Sequence, residues 1–355
     1  MSNPTALIMA GGTGGHIFPG LAIAEVLRSQ GWNVHWMGAP PPSMESTLVP
    51  NHGFAFAPVQ FGGVRGKGVS TALMLPWRML KALTQSLVLI KQLRPDVLVG
   101  LGGYITFPGG LMGVVCGKPL ILHEQNSVAG MANTWLAKVA KRVFSSFPQA
   151  LPHAEWVGNP LREEFLSQEP PLKRFVQRQG PLRVVVMGGS LGAQAINQTV
   201  PQALAMIPLQ DRPIVLHQGG EKHLADLQAA YAKANVQAEL TAFITNTAEV
   251  MAQADMVICR AGASTVSELA AVGVAALMVP FPHAVDDHQT KNAQFLSEQG
   301  AGWLIPQKEL TPQLLAHYLQ TTDRETLLQV ATKAYALRQT QAAQKVALAC
   351  TEVLA

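Results

Sequence analysis

Two glycine-rich turns carry the first chemical signal in this chain. GGTGGH at Gly11–His16 and GGSLGAQ at Gly188–Gln194 each follow an apolar run and precede a segment with helical spacing. Glycines at such a turn let backbone N–H groups approach a phosphate, and the helix N-terminus behind them adds positive potential. Any tight strand-to-helix turn also needs glycines, so each loop alone reads as plain turn chemistry too. His16 closes the first loop. An imidazole that titrates near neutrality suits removal of a proton from an attacking hydroxyl. Its alternative roles are to cap the next helix or to hold a phosphate. Neither loop spells GxGxxG, and the next strands end in VHWMG and VLHQGG without an acidic residue for a cofactor ribose. That argues against a nicotinamide-dependent dehydrogenase.

Two further segments could bind a nucleotide sugar. In ICRAGASTVSELAA the residues Thr265 and Glu268 have capping-box spacing, with Thr265 as N-cap and Glu268 at the third helical position. The functional reading makes Glu268 an acceptor for a ribose diol, with the backbone of Gly262–Thr265 facing a diphosphate or sugar. In VPFPHAVDDHQTKNAQ the residues His283, Asp286, Asp287, His288, Gln289 and Asn292 crowd together. A metal is conceivable there, but the spacing matches no established ligand motif. Hydrogen bonding to sugar hydroxyls is the better reading, and the Gln289 amide offers both a donor and an acceptor.

The elements that must hold these residues are legible from apolar runs and their punctuation. ALIMA, NVHWMG, DVLVGLGGY, KPLILHEQN and RVFSSF read as strands of a first half, and FPGLAIAEVLRSQGW as a helix stopped by Gly31. The pattern restarts with RVVVM, PIVLHQGG, AELTAFI, MVICRAG and AALMVPFP, with a helix over Ile196–Met206. WVGNPLREEF reads as a connector, and RETLLQVATKAYALRQTQAAQKVALACTEVLA as helical throughout, with part of it crossing back onto the first half. Continuous apolar strands alternating with helices give an α/β protein with parallel sheets covered on both faces. The expected fold is two Rossmann-like, doubly wound halves with a cleft between them, one for a donor and one for an acceptor. The boundaries are 1–160, an N-terminal acceptor and membrane-binding domain onto which a C-terminal helix at about 341–355 packs, and 161–340, a C-terminal donor domain.

Composition supports this. The chain has 355 residues, 48% hydrophobic and 14% charged, enough apolar content for two cores and against disorder. The net charge of +4 suits anionic small substrates or an anionic membrane surface. No dense basic block interleaved with aromatics is present, so nucleic acid is not an expected partner. The three cysteines, Cys116, Cys259 and Cys350, form no disulfide framework or zinc spacing and fit a reducing compartment. The N-terminal apolar run is too short for a signal peptide, and no stretch reaches the length of a spanning helix.

Taken in order, GGTGGHIFPGLAIAE, GLGGYITFPGG, LHEQNSVAGMAN, VGNPLR, MGGSLGAQAIN, CRAGASTVSELAA and PFPHAVDDHQTKNA resemble the MurG family of bacterial peptidoglycan glycosyltransferases over about residues 6–295. The resemblance implies the GT-B fold and inverting transfer of GlcNAc from UDP-GlcNAc to the C4 hydroxyl of lipid I, undecaprenyl-diphospho-MurNAc-pentapeptide. The products would be lipid II and UDP. It implies a peripheral enzyme on the cytoplasmic face of the cell membrane that needs no cofactor and no metal. Other proteins of cell-wall synthesis and division are implied as partners. Thr13, Gly14 and Gly15 are then expected near the sugar and the acceptor diphosphate. Asn126, Arg162 and Ser190 would contact the donor, and Ile244 would meet the uracil through its backbone. Ala263, Ser264, Thr265, Val266, Ser267 and Glu268 would line the donor, Gln289 would bind its sugar, and His16 would be the base. Arg162, Ser190 and the helix behind GGSLG would stabilise the departing UDP. HAVDDH before Gln289 departs from the family's paired glutamines, being longer and more acidic.

The stretch from Val64 to Asp96 mixes Leu, Met, Val and Trp77 with Arg65, Lys67, Arg78, Lys81, Lys91 and Arg94. An apolar face rimmed by cations suits an anionic membrane interface, and a helix packed on its own domain gives the same periodicity. Two rival functions remain at this point: a UDP-GlcNAc 2-epimerase with the same two-domain architecture, and a non-catalytic membrane scaffold.

Overall fold

The computed structural model describes residues 3–354 apart from 63–73, 177 and 190–191. The chain divides into two compact units, Met1–Arg162 with Gln339–Ala355, and Glu163–Arg338.

The first unit holds a seven-stranded parallel sheet in the order β3-β2-β1-β4-β5-β6-β7. Its strands are β1 (Thr5–Met9), β2 (Asn33–Gly38), β3 (Ala55–Pro58), β4 (Val97–Gly100), β5 (Leu120–Glu124), β6 (Arg142–Ser145) and β7 (Glu155–Trp156). The helices between them are α1 (Gly14–Ser29), α2 (Met44–Asn51), α3 (Leu75–Leu93), α4 (Thr106–Val115) and α5 (Met131–Leu136). Successive side chains of β1 enter opposite cores, because strand side chains alternate between faces. Ala6 and Ile8 pack with Ile17 and Leu21 of α1, while Leu7 and Met9 pack with Ala82 and Ile90 of α3. Both faces are covered, so the strand reads as one unbroken apolar run.

The second unit repeats the scheme with a six-stranded parallel sheet, β10-β9-β8-β11-β12-β13. Its strands are β8 (Arg183–Met187), β9 (Ile214–Gln218), β10 (Glu239–Thr241), β11 (Met256–Cys259), β12 (Ala275–Met278) and β13 (Trp303–Leu304). Its helices are α6 (Glu163–Leu166), α7 (Pro171–Phe175), α8 (Gln194–Ala205), α9 (Leu224–Ala234), α10 (Thr247–Gln253), α11 (Ala263–Val272), α12 (His288–Ser297), α13 (Pro312–Thr321) and α14 (Arg324–Ala336).

The strand order reverses between β1 and β4 in one sheet and between β8 and β11 in the other. In open parallel sheets the loops outside the carboxyl ends of such strand pairs form the ligand crevice. The loops that follow these four strands begin at Ala10, Leu101, Gly188 and Arg260, and so include the glycine-rich and CRAGAS segments singled out above.

The structure corrects two local expectations. The tail is not helical throughout: α14 stops at Ala336, and α15 (Ala342–Glu352) starts after a break. The break coincides with the passage from one unit to the other, between Arg338 and Gln339. In the first unit Ala343, Val346, Ala347 and Cys350 of α15 join the core built on α1. The strands β3, β7 and β13 are additional, and they are short edge or outer strands, two of them only two residues long. Such strands carry too little periodicity to be read from sequence.

Candidate active site

The first loop is shaped by backbone pressed on backbone. After β1 the chain turns at Gly12 (φ +95°), and α1 begins at Gly14 behind an extended Thr13 whose side chain makes no capping bond. The Thr13 carbonyl accepts from the amides of His16 and Ile17. The earlier amides of the first turn have no intrahelical partner, which suits an anion. Opposite, after β4, Gly102 and Gly103 also hold positive φ, and a Cβ on Gly103 would stand 2.5 Å from the Gly11 carbonyl oxygen. A Cβ on Gly102 would lie 3.2 Å from Cε1 of His16. The imidazole thus rests on bare backbone. Trp36 of β2 packs against Gly20 of α1, and its Nε1–H donates to the Ala10 carbonyl at 2.9 Å, which fixes where the loop leaves the sheet.

Three side chains around this loop escaped sequence reading. Glu45 of α2 is buried and accepts from the amides of Gly12 (3.3 Å) and Ala39 (3.0 Å). Gln125, just past β5, places Oε1 2.8 Å from Nδ1 of His16 and Nε2 3.0 Å from Nδ1 of His123. His123 is wholly buried, with Nε2 2.9 Å from the Gly158 carbonyl, and its burial pushes the imidazole down to about 4. The only signal for these two was their presence in LHEQN, and nothing in the spacing told them from strand core. Glu45 sits in a segment with no motif.

Glu124 organises the rest of that loop. It accepts from the Asn126 amide (2.9 Å), the Gly130 amide (3.1 Å) and Nδ2 of Asn133 (2.9 Å). Asn126 is therefore held by its backbone on a buried carboxylate, with its side chain half-buried. Arg162 lies in the first unit, its guanidinium 4.8 Å from the ring centroid of Phe18 on α1.

In the second unit, Gly189 (φ +79°) and Gly192 (φ +75°) shape the loop after β8, and Ser190 lies outside the described residues. A buried network braces the following helix. Asn197 of α8 donates to the Gly219 carbonyl at 3.0 Å and meets Nε2 of His217 at 3.1 Å, while Nδ1 of His217 meets the Tyr231 hydroxyl at 3.0 Å. Burial pushes His217 down to about 3, so it is neutral here. The hydroxyl of Tyr231 must then donate to Nδ1, and Nε2–H to the Asn197 oxygen.

The capping-box expectation is corrected. The N-cap of α11 is Gly262, in extended conformation and without a side-chain cap bond, and Thr265 is the third residue of the helix. Glu268 is thus roughly one and a half turns in, half-buried, and not part of the N-terminal cap. Ser264, Thr265 and Ser267 are also half-buried. Ala263 and Val266 face the core, and the Val266 amide is bonded to the Gly262 carbonyl, so Val266 is a packing residue. Ile244 is buried too, and its carbonyl accepts from the Thr247 hydroxyl at 3.2 Å.

Arg260 fastens the segment after β12. It donates to the carbonyls of Val279 and Pro280 and to Oε1 of Gln307 (2.6 Å), and lies 5.5 Å from the Phe281 ring centroid. The Phe281 amide donates to Oε1 of Gln289 at 2.9 Å. The oxygen of Gln289 thus serves the loop. Asp286 and Asp287 both adopt positive φ (54° and 50°), and Asp287 accepts from the Thr290 hydroxyl. Among the described residues no group of three or more His, Cys, Asp or Glu side chains is gathered as a metal site would require. A concavity of 460 Å³ opens between the start of α8 and this segment, lined by Gly192, Gln194, His223, Arg260, Phe281 and Gln307. A larger one of 540 Å³ lies at the amino ends of β8 and β11, where Arg178 and Arg324 pair with buried Asp255. There Arg174 is spent on the carbonyls of Ala252, Val272 and Gly273.

Residues 6–145 match the glycosyltransferase family 28 N-terminal domain, and residues 183–347 its C-terminal domain. A relative from Paracidovorax citrulli is 59% identical over all of both chains. Another, from Albidiferax ferrireducens, is 60% identical and covers all of this chain and 92% of its own. Both are named UDP-N-acetylglucosamine–N-acetylmuramyl-(pentapeptide) pyrophosphoryl-undecaprenol N-acetylglucosamine transferase. The crystal structure of Acinetobacter baumannii MurG is similar with a TM-score of 0.85 and 38% identity, covering 98% of this chain and 99% of that one. The chain belongs to glycosyltransferase family 28, in its MurG group. Family 28 membership accounts for the two similar parallel-sheet units, which are those of a GT-B glycosyltransferase.

Proposed function

We propose that this chain transfers N-acetylglucosamine from UDP-GlcNAc to the C4 hydroxyl of undecaprenyl-diphospho-MurNAc-pentapeptide, with inversion, giving lipid II and UDP. The observation that carries the reading is a full-length identity of 59% to a transferase of that name, in a chain that sets His16 on the glycine loop of its first switch point.

In this scheme the first unit holds the acceptor. The amides of Gly14 and Gly15, with Thr13, meet the sugar and the acceptor diphosphate. Nε2 of His16 takes the C4 hydroxyl proton as that oxygen attacks C1 of GlcNAc and the bond from C1 to the diphosphate breaks. The second unit holds the donor. Glu268 accepts from the ribose diol, the backbone of Ile244 meets the uracil, and the amides of Ala263, Ser264 and Thr265 at the start of α11 face the diphosphate. Ser267 lines the same surface. Gln289, its oxygen spent on Phe281, offers its –NH2 group to a sugar hydroxyl. Asn126, Arg162, Ser190 and the N-terminus of α8 complete the donor contacts. Charge on departing UDP is met by aligned amides and a guanidinium.

The described helices include none long and apolar enough to cross a membrane. A peripheral position on the cytoplasmic membrane face suits the lipid acceptor. Support comes from α3, which exposes Trp77 (65%), Leu80 (56%) and Val88 (48%) on a face that also carries Lys81 and Lys91. Arg65 and Lys67 of the same stretch lie outside the described residues. A direct test incubates the purified chain with radiolabelled UDP-GlcNAc and a lipid I analogue. Label moving into the lipid product supports the proposal. Epimerised UDP-sugar, or no turnover, overturns it.

A further inference from the structure

We infer that Gln125, oriented by His123, fixes which nitrogen of His16 is free to act as the base. The inference rests on the proposed role of His16 and adds two positioning residues to it. The chain of hydrogen bonds has one self-consistent assignment. It starts at the Gly158 carbonyl, which can only accept, so Nε2 of His123 at 2.9 Å carries the hydrogen. His123 is buried in a place where its charged form is strongly disfavoured, so its Nδ1 is a bare acceptor. The group 3.0 Å from that nitrogen must then be the –NH2 of Gln125, whose nitrogen is also 3.0 Å from the His123 carbonyl oxygen. Turning the amide over would set its oxygen against two acceptors. The amide is thereby locked, with Oε1 facing Nδ1 of His16 at 2.8 Å. An amide oxygen accepts only, so Nδ1 of His16 bears the hydrogen and its Nε2 keeps the lone pair.

Other ionisable groups surround this loop, but it is a neutral amide that meets the ring. From β5, Glu124 is committed to Asn126, Gly130 and Asn133. From α2, Glu45 is committed to Gly12 and Ala39. Arg162 stacks on Phe18 of α1 itself. Gln125 therefore orients the base without lending it a negative charge, unlike the carboxylate of a Ser-His-Asp triad. Its part in removing the acceptor proton is then to orient the ring.

The test reads the tautomer directly in the full-length chain labelled with 15N-histidine. Long-range 1H–15N correlations, assigned with His16→Ala, should show Nδ1 protonated and Nε2 bare near pH 8. Finding His16 protonated mainly at Nε2 overturns the relay. One variant adds kinetics. Gln125→Leu should mix the tautomers, seen as a shift of the His16 15N signals, and lower kcat about tenfold while KM for UDP-GlcNAc stays within about twofold. A role in packing alone predicts no change of tautomer, and unchanged His16 15N signals in Gln125→Leu overturn the proposal. Failure of the parent reading looks different: His16→Ala would retain full activity whatever the tautomer.

Discussion

At the switch point of the first sheet, between β1 and β4, the loops bring a titratable side chain to the strand ends, with Gln125 2.8 Å from its ring. At that of the second, between β8 and β11, the helices that start there do so behind Ala193 and Gly262 with no side-chain cap. What the second switch point presents is backbone: N-terminal amides, small hydroxyl residues and one carboxylate, Glu268, set further along the helix. In the proposed scheme the same parallel-sheet architecture serves proton transfer in one unit and donor binding in the other. The difference follows from a few residues at the loop ends. A histidine in the first turn of α1 needs an acceptor to orient it, and Gln125, just past β5, supplies one. A diphosphate site needs donors in excess, and a glycine N-cap leaves them available.

If the contrast holds, the two units fail in different ways when altered. The largest effect is expected from His16→Ala, which should lower kcat by about 10³-fold and leave the KM for UDP-GlcNAc little changed, as steady-state kinetics would reveal. Full activity in that variant would remove the chemical half of the comparison. Acid should come next. The unfolded chain protonates its histidines near 6.5, whereas His123 in the first unit does so at about 4 and His217 in the second at about 3. Their folded values are depressed, so protons favour the unfolded state. Each histidine costs stability as pH falls from about 6.5 toward its folded value, at up to about 1.4 kcal/mol per pH unit. Both units are therefore expected to lose stability as pH falls below about 6.5. Hydrogen exchange in β5 and β9 that stays unchanged from pH 7 to pH 5 would show that burial does not hold these imidazoles neutral.

A smaller effect is expected in the donor unit. Glu268→Ala should raise the KM for UDP-GlcNAc about tenfold or more, the scale of a lost hydrogen bond to a charged group. Because Glu268 is not part of a cap, thermal unfolding should move little, whereas loss of a cap would cost about 1 kcal/mol. A large drop in melting temperature with an unaltered KM would return it to a structural role. The smallest effect lies on α3. Lys81→Glu should weaken flotation with anionic vesicles by roughly fivefold or somewhat more, at about 1 kcal/mol per basic residue near the surface, and leave neutral vesicles unaffected. Equal recovery with both lipids would take the electrostatic part out of the membrane reading.

Much of this arrangement was legible from sequence because the signals were local. ALIMA, RVVVM and MVICRAG are continuous apolar runs, and a strand buried on both faces has no other pattern. GGTGGH and GGSLGAQ stood out because a chain that turns with positive φ at Gly12, Gly189 and Gly192 must use glycine there. What escaped was non-local. Glu45 reaches Gly12 across 33 residues, and Gln125 reaches His16 across 109, and no periodicity encodes such pairs. The Thr265–Glu268 spacing misled because it satisfies a capping pattern, whereas the chain enters α11 three residues earlier at Gly262. The tail misled because uninterrupted helical propensity hides a break imposed by the passage from one unit to the other.

That last helix has a consequence for the order in which the molecule can be completed. Val346, Ala347 and Cys350 fill the same core as Ile8, Ile17 and Leu21. On the ribosome β1 and α1 therefore wait for α15, while the whole of the second unit emerges in between. Until α15 arrives, one face of the first sheet remains without part of its cover, and exposed apolar surface of that kind is what chaperones hold and aggregation exploits.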